Sequence, residues 1–132
     1  MSTLYQLIKN PRKKNKKRGR TPFLKKCPQK KGICVRVYTT KPKKPHSAIR
    51  KLAKVYMPST KRHVLAYIPG QGHNLSAHSV VLIRGGRVRD IPGMHAKIIR
   101  NKYDFMHTES FIRKRRRSKY GLVHLTLDLV LM

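Results

Sequence analysis

Ile33-Cys34-Val35-Arg36-Val37-Tyr38 is a compact, β-branched run, and from it onward the chain alternates short apolar stretches with turn residues. Leu52-Ala53-Lys54-Val55-Tyr56-Met57 follows a proline-rich loop. Pro58-Ser59-Thr60-Lys61 then turns the chain into His63-Val64-Leu65-Ala66-Tyr67-Ile68. After Pro69-Gly70-Gln71-Gly72 comes Ser79-Val80-Val81-Leu82-Ile83-Arg84. Gly85-Gly86 reads as a two-residue hairpin in which both positions take positive φ, with Arg87-Val88-Arg89-Asp90-Ile91 as the return strand. Residues 95–100 add a short strand through Ile98 and Ile99. Five or six short strands in so little chain predict an all-β fold, a small antiparallel barrel; an OB-type barrel fits the size, and strand count alone does not separate it from an SH3-like one.

Outward from the barrel the composition changes. Residues 9–20 hold 8 basic side chains in 12 and no apolar one, so they have nothing to bury and are expected to order only against phosphates. Before them, Leu4, Leu7 and Ile8 suit one or two helical turns capped by Thr3 and stopped at Pro11. Residues 113–119 are again basic at 6 of 7 positions. In Leu125-Thr126-Leu127-Asp128-Leu129-Val130-Leu131 the leucines fall on alternate positions, as in a strand with one apolar edge. That run is too short to cross a membrane and needs cover. The expected organisation is a basic N-terminal extension over residues 1–28, the barrel over 29–104, and a basic C-terminal extension over 105–132.

The charge balance narrows function. Across 132 residues there are 33 Lys and Arg against 4 Asp and Glu, a formal charge of +29. Such an excess calls for a polyanionic partner, nucleic acid first. The 39% of hydrophobic residues still permits a small core. The four acids, Asp90, Asp104, Glu109 and Asp128, are scattered, which argues against a carboxylate pair and against a hard-metal site. Cys27 and Cys34 are separated by six residues, outside the usual zinc spacing, and read as reduced thiols. No two of the seven histidines are placed together by the pattern, so a histidine nuclease has no support. Gly70-Gln71-Gly72-His73-Asn74 lacks the third glycine of a phosphate loop and reads as a tight turn. Tyr38, Tyr56 and Tyr67 read as core side chains rather than base-stacking platforms. The sequence thus points to no enzyme and no resident metal or cofactor.

Lys41-Pro42-Lys43-Lys44-Pro45-His46-Ser47-Ala48 is the most informative stretch. Its two prolines stiffen an exposed basic loop, and His46 and Ser47 supply hydrogen bonds at its tip. Such a loop suits the shallow minor groove of an A-form helix, and its residues alone equally fit a surface loop with surplus charge.

Together these motifs resemble the universal small-subunit ribosomal protein twelve, the decoding-centre protein family. The resemblance rests on Gln6-Leu7-Ile8-Lys9-Asn10-Pro11-Arg12, on Cys27-Pro28-Gln29-Lys30-Lys31-Gly32 and on Val37-Tyr38-Thr39-Thr40-Lys41-Pro42-Lys43-Lys44-Pro45. It continues through Gly72-His73-Asn74-Leu75, Arg84-Gly85-Gly86-Arg87-Val88-Arg89-Asp90-Ile91-Pro92-Gly93 and Arg117-Ser118-Lys119-Tyr120-Gly121. It implies an OB-type barrel whose N-terminal extension threads ribosomal RNA. The decoding loops would be Lys43, Lys44, Pro45, His46 and Ser47 with Arg87, Arg89, Asp90 and Pro92, facing the mRNA–tRNA helix at the A site. Asp90 matches an aspartate thiomethylated in some bacterial members. Ribosomal RNA contacts are implied for Lys9, Arg12, Lys13, Lys14, Lys16, Lys17, Arg18, Arg20, Lys30, Lys41 and Arg84, and for Arg113, Lys114, Arg115, Arg116, Arg117 and Lys119. The resemblance implies no cofactor beyond structural magnesium of the RNA nearby.

Three departures stand out against the family pattern. His46 replaces a common Asn, which keeps hydrogen-bonding ability and adds charge in mildly acid solution, so decoding is expected to survive with altered accuracy or antibiotic response. Residues 58–62 replace a tighter turn on the far side of the barrel. Residues 122–132 extend beyond the usual basic end, and their leucine edge is expected to dock on a neighbouring ribosomal protein. The tail, the basicity and His46 suggest a mitochondrial source over a bacterial cytoplasm or a plastid, with synthesis inside the organelle. The competing function on composition alone is a stand-alone OB-fold RNA chaperone.

Overall fold

The structure is a computed structural model, describing residues 1–14, 19, 21–106, 109–111 and 113–122. Its described residues form five strands, β1 (Gln29–Thr40), β2 (Arg50–Met57), β3 (Arg62–Tyr67), β4 (Val80–Gly85) and β5 (Ala96–Ile99), with helices α1 (Leu4–Lys9) and α2 (Arg117–Tyr120) outside them. The strands close into a barrel in the order β1-β2-β3-β5-β4, the OB-type architecture. Pairing is antiparallel except between β3 and β5, which meet in parallel at Tyr67 and Lys97.

Closure depends on the length of β1. Its N-terminal half, Gln29 to Ile33, pairs with β4, and Ile33 to Thr40 pairs with β2. The strand is longer than its β-branched run because Gln29, Lys30 and Lys31 are recruited by backbone pairing with β4, whatever their polarity. The register shifts between Cys34 and Arg36, a bulge that bends the strand between its two partners. Gly32 sits where β1 crosses over the core: a Cβ there would lie 2.6 Å from Val55 Cγ1.

Alternation along the strands fills the interior with Cys34, Val55, Met57, Ala66, Val81, Ile83, Ala96 and Ile98, all fully buried. Phe23 and Leu24, from a single 3-10 turn at Pro22–Leu24, and Phe105 beyond β5 also join this cluster. A second cluster of Leu52, Ile91 and Met94, with half-buried Tyr38, Tyr67 and Val88 against it, floors one end of the barrel. Tyr56 instead stacks on His63, ring centroids 5.2 Å apart.

The hairpin expected at Gly85-Gly86 does not form. Neither glycine has positive φ, residues 87–91 are not a strand, and the strand returning along β4 is β5. The glycines sit in tight surroundings: a Cβ on Gly85 would be 3.2 Å from Thr21 Cγ2, and one on Gly86 would be 3.0 Å from Arg84 Nη1. Residues 86–95 form a loop drawn together by Gly86 N donating to His95 O (3.0 Å) and Val88 N to Met94 O (3.2 Å). Val88, Ile91 and Met94 supply cover for the barrel end, so their apolarity marks a buried loop face and not a strand.

At the N-terminus the short helix forms as expected. Thr3 Oγ1 accepts from Gln6 N and Gln6 Oε1 accepts from Thr3 N, a capping box. No residue of α1 is buried, and Leu4 and Ile8 are exposed. The alternating leucine run of residues 125–131 lies outside the described residues.

Candidate nucleic-acid interface

Two loops far apart in sequence meet above the second apolar cluster. The loop between β1 and β2 carries Lys41, Lys43, Lys44, Pro45, His46 and Ser47, all exposed. The loop between β4 and β5 carries exposed Arg87, Arg89 and Pro92. Asp90 joins them through both backbone and side chain. Its carbonyl oxygen accepts from Lys43 N at 2.7 Å, and its Oδ2 pairs with Arg50 Nη2 at 3.0 Å. Arg50 is the first residue of β2, so one ion pair fastens the second loop to the strand that follows the first.

Within the first loop, His46 N donates to Lys43 O at 3.1 Å, and prolines limit the backbone on either side. The result is a stiff platform with its cations outward. Lys43, Arg87, Arg89 and Pro92 line one open cleft together with Thr21 and His95. The only acid among these loop residues is Asp90, half-buried and already paired. The exposed surface is therefore purely basic.

The other described acids are also spent internally. Asp104 Oδ2 accepts from Val80 N at 2.7 Å. Glu109 is buried, accepts from Arg113 Nε at 2.6 Å and Nη2 at 2.5 Å, and takes Gln71 N at 2.9 Å. The Arg113 hydrogen bonds pull the Glu109 pKa down to about 2, against the opposing effect of burial. Beside it, buried Arg100 donates to the carbonyls of Pro69, Gly72 and Gln71 at 2.7, 2.9 and 3.0 Å. Gly70 and Gly72 take positive φ to present those carbonyls. Gly70-Gln71-Gly72 is thus a turn wrapped around an arginine.

The expected RNA-contacting side chains divide by location. Lys9, Arg12, Lys13 and Lys14 are exposed on the N-terminal arm, and Lys114, Arg115, Arg116 and Lys119 on the C-terminal one. Lys30 and Arg84 are half-buried on β1 and β4, and Arg117 is half-buried at the start of α2. Arg113 is engaged with Glu109, and its guanidinium lies 3.9 Å from the Tyr120 ring centroid. Lys16, Lys17, Arg18 and Arg20 lie outside the described residues.

Arg50, Arg100 and Lys97 went unnoticed in the sequence, and Glu109 was seen there only as one of four scattered acids. The available signal was scarcity: with four acids among so many bases, any acid the fold buries or half-buries is expected to meet a base, as Asp90 and Glu109 do. Cys27 is exposed and Cys34 buried, both unpaired. Burial, then Asp104, pushes the Cys34 thiol up to about 11. His73 is held toward its neutral form by burial and by Lys51 and Arg100, with Nδ1 accepting from Leu75 N. Among the described residues no three His, Cys, Asp or Glu side chains gather as a metal site.

Comparison with known proteins agrees with this architecture. A family model described as Ribosomal protein S12/S23 matches residues 16–121. The chain is also 53% identical over 121 residues to the small ribosomal subunit protein uS12m of Acanthamoeba castellanii, covering 92% of this chain and 94% of that relative. A closed five-stranded barrel with basic arms and a match over most of its length make this chain a member of the ribosomal protein S12/S23 family.

Proposed function

We propose that this chain is a structural constituent of the mitochondrial small ribosomal subunit, binding ribosomal RNA at the decoding centre and supporting accurate codon–anticodon recognition. Membership of a ribosomal family accounts for the charge of +29, and the mitochondrial relative supports the compartment. The single observation that carries the decoding role is the junction at Asp90. It binds two exposed basic loops into one rigid face with no free carboxylate on it.

In this reading Lys43 and Lys44 hold ribosomal RNA phosphates, and Ser47 and His46 reach toward the minor groove of the A-site helix. Arg87 and Arg89 approach from the second loop. The protein performs no chemistry; it favours the closed arrangement of RNA around correct pairing. Any magnesium at the interface belongs to the RNA. The arms, residues 1–28 and 105–132, are extensions of a barrel spanning residues 29–104, and residues 122–132 meet a neighbouring ribosomal protein.

The test is a high-salt sucrose gradient of tagged protein with sequencing of ultraviolet-crosslinked RNA. Co-migration with the small subunit and crosslinks from residues 43–47 to decoding-site RNA are expected. Release into light fractions with scattered crosslinks would make it a general RNA chaperone instead.

A further inference from the structure

A second basic cleft lies away from the loops just described, between the barrel wall and the C-terminal arm. Arg84 on β4 and Lys97 on β5 are direct cross-strand partners, and both are half-buried. Arg116 and Lys119 come to the same cleft from the arm, and Tyr67 and Tyr120 form its walls. A Cβ on Gly86 would lie 3.0 Å from Arg84 Nη1 and 3.2 Å from Lys97 Cδ, so the glycine lets these two side chains pass close to the backbone.

The arm is docked firmly enough to hold these charges in place. Asn101 Nδ2 donates to Tyr120 O at 2.9 Å, Arg113 stacks on Tyr120, and Gly121 takes positive φ (65°) at the helix end against Arg100. Docking of the arm therefore brings four cations to one cavity. Burial lowers the pKa of Lys97, and the charges acting on it are Arg84, Lys119 and Arg116, all cations. Arg84 spends one donor on Gly85 O, and its buried Nε has no partner within the described protein. Cross-strand like charges destabilise a sheet unless something negative lies between them.

We propose that Arg84, Lys97, Arg116 and Lys119 form a pocket that closes on one backbone phosphate of RNA, using the C-terminal arm as its second wall. This rests on the RNA-binding reading above and adds Lys97, together with a single shared phosphate for all four side chains. Separate phosphates are disfavoured because the side chains line one cleft, and each additional unneutralised neighbour raises the cost of leaving it empty. The phosphate supplies the negative charge that none of the protein's described carboxylates brings to this cleft.

The experiment uses the full chain bound to small-subunit ribosomal RNA. Phosphate-ethylation interference is compared between the unaltered protein, Lys97→Gln/Lys119→Gln and Arg116→Gln/Lys119→Gln, and affinity is followed across a potassium chloride series. The second double variant sits wholly on the arm and keeps the test intact if strand β5 does not tolerate substitution. Of the phosphates that score for the unaltered protein, one is expected to vanish in both variants. The slope of log affinity against log salt should fall by about one, with Lys97→Arg behaving as the unaltered chain. An unchanged interference map, or two phosphates lost with a slope change of about two, overturns the pocket. Competition by inorganic phosphate with no interfering RNA position assigns it to a free anion and likewise overturns it. An unaltered chain that does not bind this RNA overturns the ribosomal reading itself, whereas normal binding with insensitive variants overturns the pocket alone.

Discussion

Glu109 illustrates how a chain this basic uses a carboxylate. Its pKa drops from an ordinary 4.5 to about 2 because Arg113 donates two hydrogen bonds to it. A carboxylate with a depressed folded-state pKa contributes stability that is complete above its unfolded value and is lost as pH falls toward the folded one. Denaturant unfolding followed between neutrality and pH 2 should therefore show a loss of about 3 kcal/mol, beginning below about pH 4.5. Glu109→Gln should remove that acid segment and lower stability at pH 7 by a similar amount, because Arg113 and Gln71 N lose their charged acceptor. Identical acid profiles for the two proteins would contradict the pairing. In the sequence Glu109 offered only its rarity; its partner four residues on lay within a basic run whose members look equivalent until one is folded against the acid.

For the elements, the informative case is the connection between β4 and β5. Alternating apolar residues and Gly85-Gly86 spelled a hairpin, yet Val88, Ile91 and Met94 pack on the barrel end instead. Local pattern identifies which residues seek cover but not which surface provides it. The strands with strong β-branched runs were legible almost to their ends. The polar start of β1 was not, since it exists through pairing with β4. The two loops of the interface were each visible in the chain, while the junction at Asp90 depends on a long-range contact that no spacing encodes. That junction makes its own prediction. Arg50→Gln should lower stability little, by under about 1 kcal/mol, because the two side chains keep 26% and 35% of their exposure. Hydrogen exchange at the Lys43 and Ile91 amides should nonetheless rise several-fold as the second loop loosens. Unaltered exchange would mean that the ion pair does not hold the loop.

On the scale of the whole molecule, the barrel folds against its own charge. The isolated chain should gain thermal stability as salt screens the repulsion, and more so when a polyanion is added at equal ionic strength. A rise of several degrees is expected, read by circular dichroism at the β-sheet band; a midpoint independent of salt would contradict it. The basicity and family motifs made the partner class readable from residues alone. The cleft shared by Lys97 and the arm could not be read, because its four cations are separated in sequence and joined only by closure of the barrel.

The three described acids are all occupied within the fold, which has a consequence for supply. A copy made without its RNA has no described internal means of masking its excess of bases, so it will adhere to whatever polyanion it meets first. Surplus is therefore harmful in a way that shortage is not. A cell making this protein must match its synthesis to that of the RNA, or destroy the unassembled remainder quickly.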